Sequence, residues 1–166
     1  MKKRLALIMM GCIFAFATAG YAEQTNTDTE AQITEDRSGN PITIPENAES
    51  IISMAPSTTR VLIDLGLADR IVACDTYSYA SYGLDLAEDI PQFDMMTPDQ
   101  EQIIALDADV IFTTGMSASH GEDVFASVKE AGICVCDIPS SASLADIEAD
   151  ILFIGDVVKK NDEAKK

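Results

Sequence analysis

The stretch from Ser50 to Tyr82, SIISMAPSTTRVLIDLGLADRIVACDTYSYASY, restricts the fold of this chain more than any other. A short apolar run, Ile51-Ile52-Ser53-Met54, gives way to Ala55-Pro56-Ser57, where small and turn-forming residues stop a strand and let a helix begin. Val61, Leu62 and Leu65 follow at a spacing that lies along one helical face, and Gly66 stands where a left-handed cap is needed. A second apolar run, Ile71 to Cys74, completes the unit. Strand, helix and strand within about 25 residues form a βαβ unit, because two parallel strands need a crossover of this size.

The same alternation continues. Thr97-Pro98-Asp99-Gln100 opens a second helix, with Thr97 as its cap, Pro98 at the first helical position and Gln100 completing a capping box. Ile103, Ile104 and Leu106 face inward, and Asp107-Ala108-Asp109 turns into a strand from Val110 to Thr113. A third helix carries Val124, Phe125, Val128 and Ala131 on one face with Gly132 as its cap, and a strand from Ile133 to Ile138 ends at Pro139-Ser140-Ser141. Ser143 caps the last helix, with Asp146 in its first turn. There Leu144, Ile147, Ile151, Ile154 and Val158 form an apolar stripe, widened by Leu152, Phe153 and Val157, that expects burial on more than one side. Ile33 to Ile44 reads as a hairpin around the turn Asp36 to Asn40, and Asp75 to Met96 as a long irregular stretch rich in aromatic residues.

Runs of Val and Ile between helices predict an α/β fold: an open parallel sheet with helices on both faces. Such sheets bind ligands beyond the carboxyl ends of their strands. Those ends are Ala55 to Ser57, Asp75 to Tyr82, Thr114 to His120 and Pro139 to Ser141.

The chain opens with Lys2-Lys3-Arg4, an uncharged apolar run from Leu5 to Ala19, and Gly20-Tyr21-Ala22. That order predicts a secretory signal peptide over residues 1–22, cut after Ala22 with Ala19 as second choice, followed by a polar linker over 23–31. Cys12 is a weak match to a lipoprotein acceptor, since the apolar run continues well past it. All 28 acidic residues lie after Ala22, whereas three of the 11 basic ones lie before it. So acidic a domain argues against nucleic-acid and anionic-membrane partners, which need basic patches.

Cys74, Cys134 and Cys136 read as buried small hydrophobes, and without a CxxC or a Cys/His cluster a structural zinc site has no support. Catalysis finds little in the sequence. No glycine-rich phosphate loop follows the first strand, no GxSxG elbow is present, and Ser57 or Ser117 has only His120 as a base. Asp85 with Glu88 or Asp89 lies in a loop unsuited to acid/base work. His120 with Met54, Met95, Met96 or Met116 supplies the residue types of haem ligation, against the plainer reading of a solvated histidine.

The hairpin, then IISMAPSTTRVLIDLGLADRIVACDTYS, TPDQEQIIALDADVIFTTG and VKEAGICVCDIPSSASLADI, in that order, resemble the amino-terminal lobe of the periplasmic binding proteins that deliver ferric siderophores, haem and cobalamin to ABC transporters. The resemblance implies two lobes joined by a long helix, with ligand held between them. It places the amino-terminal lobe at 32–142 and the start of the interlobe helix at 143–166, and leaves the second lobe absent, the chain being a fragment of a longer protein or a partner supplying the other half. It implies ligand contacts from Tyr77, Tyr79, Tyr82 and Met95, with Ser57 and Met116 at neighbouring strand ends; aromatic faces suit a flat macrocycle or an aromatic siderophore. Glu101 matches the surface glutamate that meets arginines of the permease, beside the alternative of a solvated glutamate favoured by the helix dipole.

The implied protein is a binder rather than an enzyme, exported to the periplasm or cell surface. Its partners are an ABC permease and a small metal chelate; it has no cofactor of its own, and its ligand carries iron or cobalt. The rival readings are a lone lobe acting as an interaction protein and a flavodoxin-like enzyme. Arg60 stands where many relatives carry an acidic residue, facing ligand or solvent. The scarcity of basic residues near the predicted edge disfavours strongly anionic catecholate complexes.

Overall fold

The computed structural model describes residues 33–115, 121 and 123–166; the predicted signal peptide and linker, together with Met116 and His120, lie outside the described residues. Five parallel strands form the sheet: β1 (Ile51–Ser53), β2 (Ile71–Asp75), β3 (Gln92–Phe93), β4 (Val110–Thr114) and β5 (Cys134–Ile138), in the order β3-β2-β1-β4-β5. The helices are α1 (Pro56–Asp64), α2 (Thr76–Tyr82), α3 (Gln100–Ala105), α4 (Ala126–Glu130), α5 (Leu144–Val157) and α6 (Asn161–Ala164).

Side-chain alternation along the strands divides the interior into two layers. Ile51, Cys74, Phe112 and Cys136 point to one face, where Leu62 of α1 and Phe153 and Ile154 of α5 cover them. Ile52, Ala73, Ile111 and Val135 point to the other, where Ile103 of α3 and Val128 of α4 cover them. Strands β1, β2, β4 and β5 thus place apolar residues on both sides, as a parallel sheet between two helical layers requires. A register shift between Ile51 and Ile52 in the β1–β2 pairing sends both Val72 and Ala73 to the second face.

A polar clasp aligns the strands where β1 and β4 enter the sheet. Asp109 Oδ2 accepts from the Glu49 amide, the Ser50 amide and Ser50 Oγ, each at 2.9 Å, and the Asp109 amide donates to Ser50 Oγ at 3.0 Å. Burial pushes the Asp109 carboxyl up, but the hydrogen bonds from Ser50 and Glu49 outweigh it and hold it below the usual carboxylate range. The Ala108-Asp109-Val110 junction therefore sets register as well as turning the chain.

Several boundaries differ from the sequence reading. The stretch after β2 is irregular only beyond Tyr82, apart from β3, since α2 leaves the strand directly: Asp75 Oδ1 accepts from the Tyr77 amide at 2.9 Å and the Ser78 amide at 3.0 Å. The α3 cap is Asp99, not Thr97. Asp94 Oδ1 already takes the Met96 and Thr97 amides, and Asp99 accepts from the Gln102 amide at 3.0 Å and from Gln102 Nε2 at 2.6 Å. The third helix is shorter than its apolar pattern, starting only after Phe125. The hairpin reduces to one isolated bridge, Glu35 to Pro41, because Asp36 draws the chain into a tight turn by accepting from the Ser38 and Asn40 amides.

The expected continuous helix to Lys166 is also broken. α5 ends at Val157, Lys159 adopts φ 59°, and α6 folds back on α5. The approach is so close at Gly155 that a Cβ there would stand 2.5 Å from the Ala164 Cβ. The apolar stripe is accordingly split, with Phe153, Ile154, Val157 and Val158 buried and Leu144 and Ile147 exposed.

Candidate functional site: a cleft at the sheet switch point

The strand order reverses at β1, whose neighbours β2 and β4 lead the chain in opposite directions across the sheet. Side chains beyond the carboxyl ends of β1 and β4 therefore diverge and leave a crevice. An open cleft of about 550 Å³ lies there, within the size range of small-molecule sites. Ala55 to Thr58 form one wall, Thr114 and Ile138 to Ser141 the base and far side, Met95 one rim, and Ile147, Asp150, Ile151 and Ile154 of α5 the wall opposite.

The α1 wall follows from its sequence. Ala55 holds the cap position in extended conformation, φ −158° and ψ 138°, without a side-chain cap, and Pro56 has no amide proton to satisfy. The first turn of α1 thus lines the cleft with the positive end of its dipole uncapped by any side chain. A fully buried hydroxyl network fixes this turn against the sheet. Thr59 Oγ1 is 2.8 Å from Ser53 Oγ and 2.8 Å from Ser78 Oγ, and it reaches the Ala55 carbonyl at 3.0 Å. Ser78 Oγ donates in turn to Asp75 Oδ2. Strand β1, strand β2 and the first turns of α1 and α2 are locked together beneath the site.

On the opposite wall, Asp150 is buried at 8% relative exposure. Its two oxygens are satisfied by Arg37 Nε at 2.6 Å and Ser141 Oγ at 2.7 Å. Arg37 belongs to the Asp36 turn, whose Asp36 Oδ2 also accepts from the Asp137 amide at 2.9 Å. The segment preceding β1 therefore braces β5 and α5 at the cleft.

Of the ligand contacts expected from sequence, Ser57 and Met95 line the cleft, Ser57 exposed and Met95 half-buried. The three tyrosines do not. Tyr77 is 64% exposed, and Tyr79 lies against the first core layer with its hydroxyl donating to the Glu88 carbonyl at 2.7 Å. Tyr82 is half-buried and also absent from the cleft wall. The reason is α2, which carries all three on a helix above β2 instead of a loop over the cleft. Met54 is a core residue, Met116 and His120 fall outside the described residues, and Arg60 is exposed and paired with Asp64 at 2.7 Å. Glu101 is exposed at the second position of α3, whose amino terminus lies on the same sheet edge as the cleft.

Ser140 and Ser141 belong to the strand end at Pro139 to Ser141, whereas Thr58 and Asp150, with its partner Arg37, were not expected at the site. Asp150 had a signal in the sequence: it is a carboxylate between Ile147 and Ile151 and Ile154, on an otherwise apolar stripe. Cys74, Cys134 and Cys136 are buried free thiols; burial pushes Cys74 up to about 11. Cys134 Sγ lies 3.7 Å from Cys136 Sγ, and that contact together with burial pushes the Cys136 thiol up. Among the described residues no group of three or more His, Cys, Asp or Glu side chains is placed to hold a metal ion.

A five-stranded parallel sheet with a cleft at its switch point defines a ligand-binding α/β lobe. Residues 51–166 match the periplasmic binding protein family, and the chain belongs to that family. It is 25% identical over 178 aligned residues, all of this chain and 56% of the relative, to YvrC of Bacillus subtilis, an uncharacterized ABC transporter substrate-binding lipoprotein. Among solved structures it resembles a possible iron-binding (periplasmic solute-binding) protein of Staphylococcus epidermidis, with a TM-score of 0.66 and 27% identity over 72% of this chain and 46% of the other. A periplasmic heme binding protein of Pseudomonas aeruginosa shares the fold, with a TM-score of 0.62 and 20% identity over 71% and 41% of the two chains. The chain thus spans about half the length of the relatives it matches. The family is one of binding proteins, not enzymes.

Proposed function

We propose that this chain forms the amino-terminal lobe of an extracytoplasmic solute-binding component of an ABC importer. Its ligand is a metal chelate of the iron-siderophore, haem or cobalamin type, held at the carboxyl edge of the sheet. The observation that carries this reading is the cleft itself, of about 550 Å³ and open on one side, built from loops that follow β1, β3, β4 and β5. A cleft with one open side offers half of an enclosing surface, which suits a ligand clasped between two lobes. The substrate-binding description of the Bacillus relative supports the importer role, and the possible iron-binding description of the Staphylococcus structure supports the ligand class. Among the described residues no helix is long and apolar enough to cross a membrane.

Titrating the chain with cyanocobalamin, haemin, a ferric trihydroxamate and a ferric tricatecholate, followed by two-dimensional NMR, tests the site. Saturable shifts at Ser57, Met95 and Ser141 with at least one chelate are expected, and a chain that responds to none would end the proposal. Docking on the permease is assigned to Glu101, whose exposed carboxylate offers a rim charge to arginines of a partner. With membranes from which an ABC permease co-elutes with the wild-type chain, Glu101→Lys should abolish co-elution. Unchanged co-elution would remove Glu101 from the docking surface.

A further inference from the structure

We infer that this cleft selects oxygen-rich chelates of net charge near zero and rejects polyanionic ones; the inference rests on the chelate-binding reading above. No Lys, Arg or His lies among the described residues that line the cleft. The lining offers hydroxyls from Ser57, Thr58 and Ser140, that of Ser141 being donated to Asp150, against an apolar ground of proline, isoleucine and methionine side chains. Among the described lining residues the one charged side chain is Asp150, and the guanidinium of Arg37 is already committed to it at 2.6 Å. That pair is internally neutral, so it presents no spare positive charge to a ligand.

Polyanionic chelates entering this wall would shed hydration from several charges without a counter-charge to replace it. The surrounding field adds to the penalty, because the chain has a formal net charge of −17. The first turn of α1 supplies a compensating partial positive charge of roughly half a unit. That is enough to favour carbonyl or hydroxamate oxygens, but far less than a trianion requires. A neutral chelate, by contrast, buries apolar surface against Ile151 and Ile154 and gives its oxygens to the α1 amides and the serine hydroxyls.

The test is a ranking of affinities on the chain by isothermal titration calorimetry, at low salt and at 0.5 M salt. Probes are neutral cyanocobalamin, a neutral ferric trihydroxamate, a trianionic ferric tricatecholate and dianionic molybdate. The neutral probes should bind at least tenfold more tightly than either anion at low salt. Added salt should narrow the gap by screening repulsion, leaving the neutral probes almost unchanged. Ser140→Lys, at an exposed cleft position, should raise tricatecholate affinity at least fivefold, and Ser57→Lys repeats the test on the other wall. Tighter binding of the anions at low salt, or no response to either lysine, would overturn the charge selectivity while leaving chelate binding intact. Binding of no chelate at all would overturn the function on which the inference depends.

Discussion

Replacing Thr59 by valine removes one hydroxyl and almost no volume, so its effect isolates the polar network under the cleft. Ser53, Thr59, Asp75 and Ser78 are all at 0% relative exposure, and water cannot replace what the substitution takes away. Ser53 Oγ loses its 2.8 Å contact with Thr59 Oγ1. Ser78 Oγ loses one of two contacts and keeps Asp75, and the Ala55 carbonyl keeps the Thr59 amide at 2.9 Å. One orphaned buried hydroxyl costs about 1–3 kcal/mol and the half-satisfied Ser78 somewhat less, so Thr59→Val should destabilise the lobe by about 2–3 kcal/mol. Pairing it with Ser53→Ala removes both partners of the principal contact. The double variant should therefore be more stable than Thr59→Val alone by about 1 kcal/mol. Urea unfolding of wild type, both singles and the double gives the whole cycle. Single-variant effects that simply add, or a Thr59→Val loss below about 0.5 kcal/mol, would refute the idea that these hydroxyls depend on one another.

Two further perturbations follow from local geometry. Asp109→Asn should lower stability at pH 7 by about 1–2 kcal/mol, a figure held down because this clasp is partly solvated. Because the Asp109 carboxyl is held below its ordinary value in the folded protein, its contribution is complete above the unfolded carboxyl range and fades as pH falls through the depressed folded value. Urea midpoints of wild type and Asp109→Asn should therefore converge between pH 5 and pH 2.5, and a gap that persists at the acid end would contradict the assignment. Gly155→Ala favours α5 by about 0.5–1 kcal/mol through helix propensity but places a methyl against Ala164. Hydrogen exchange should show residues 161–164 losing protection while α5 keeps its own; retained protection of α6 would mean that the fold-back tolerates the methyl.

Local sequence was sufficient for the main frame. Ala55-Pro56, Ser143 with Asp146, and Gly66 and Gly132 at φ 75° and 91° act within a few residues of themselves, so one strand end, two helix starts and two helix ends could be read from neighbours alone. Runs of Val and Ile between helices likewise predicted a parallel sheet covered on both faces. By itself, the sequence determined an open parallel α/β lobe, the carboxyl edge where its crevice opens, and Ser57 and Met95 as residues of the cleft wall.

Tertiary structure decided the rest, because the deciding contacts are long-range or depend on a side chain choosing among several acceptable partners. Asp75, Asp94, Asp99 and Thr97 are all good capping residues, and only the path of the chain around β3 settles which amides each one takes. That choice made a helix of Thr76–Tyr82 and withdrew three tyrosines from the cleft. The cleft's charged wall joins Arg37 to Asp150 across 113 positions, and the register clasp joins Ser50 to Asp109 across 59. No local pattern encodes such pairings; they arise when parallel strands bring distant segments to one edge, where a buried carboxylate must find its partner or be lost to solvent.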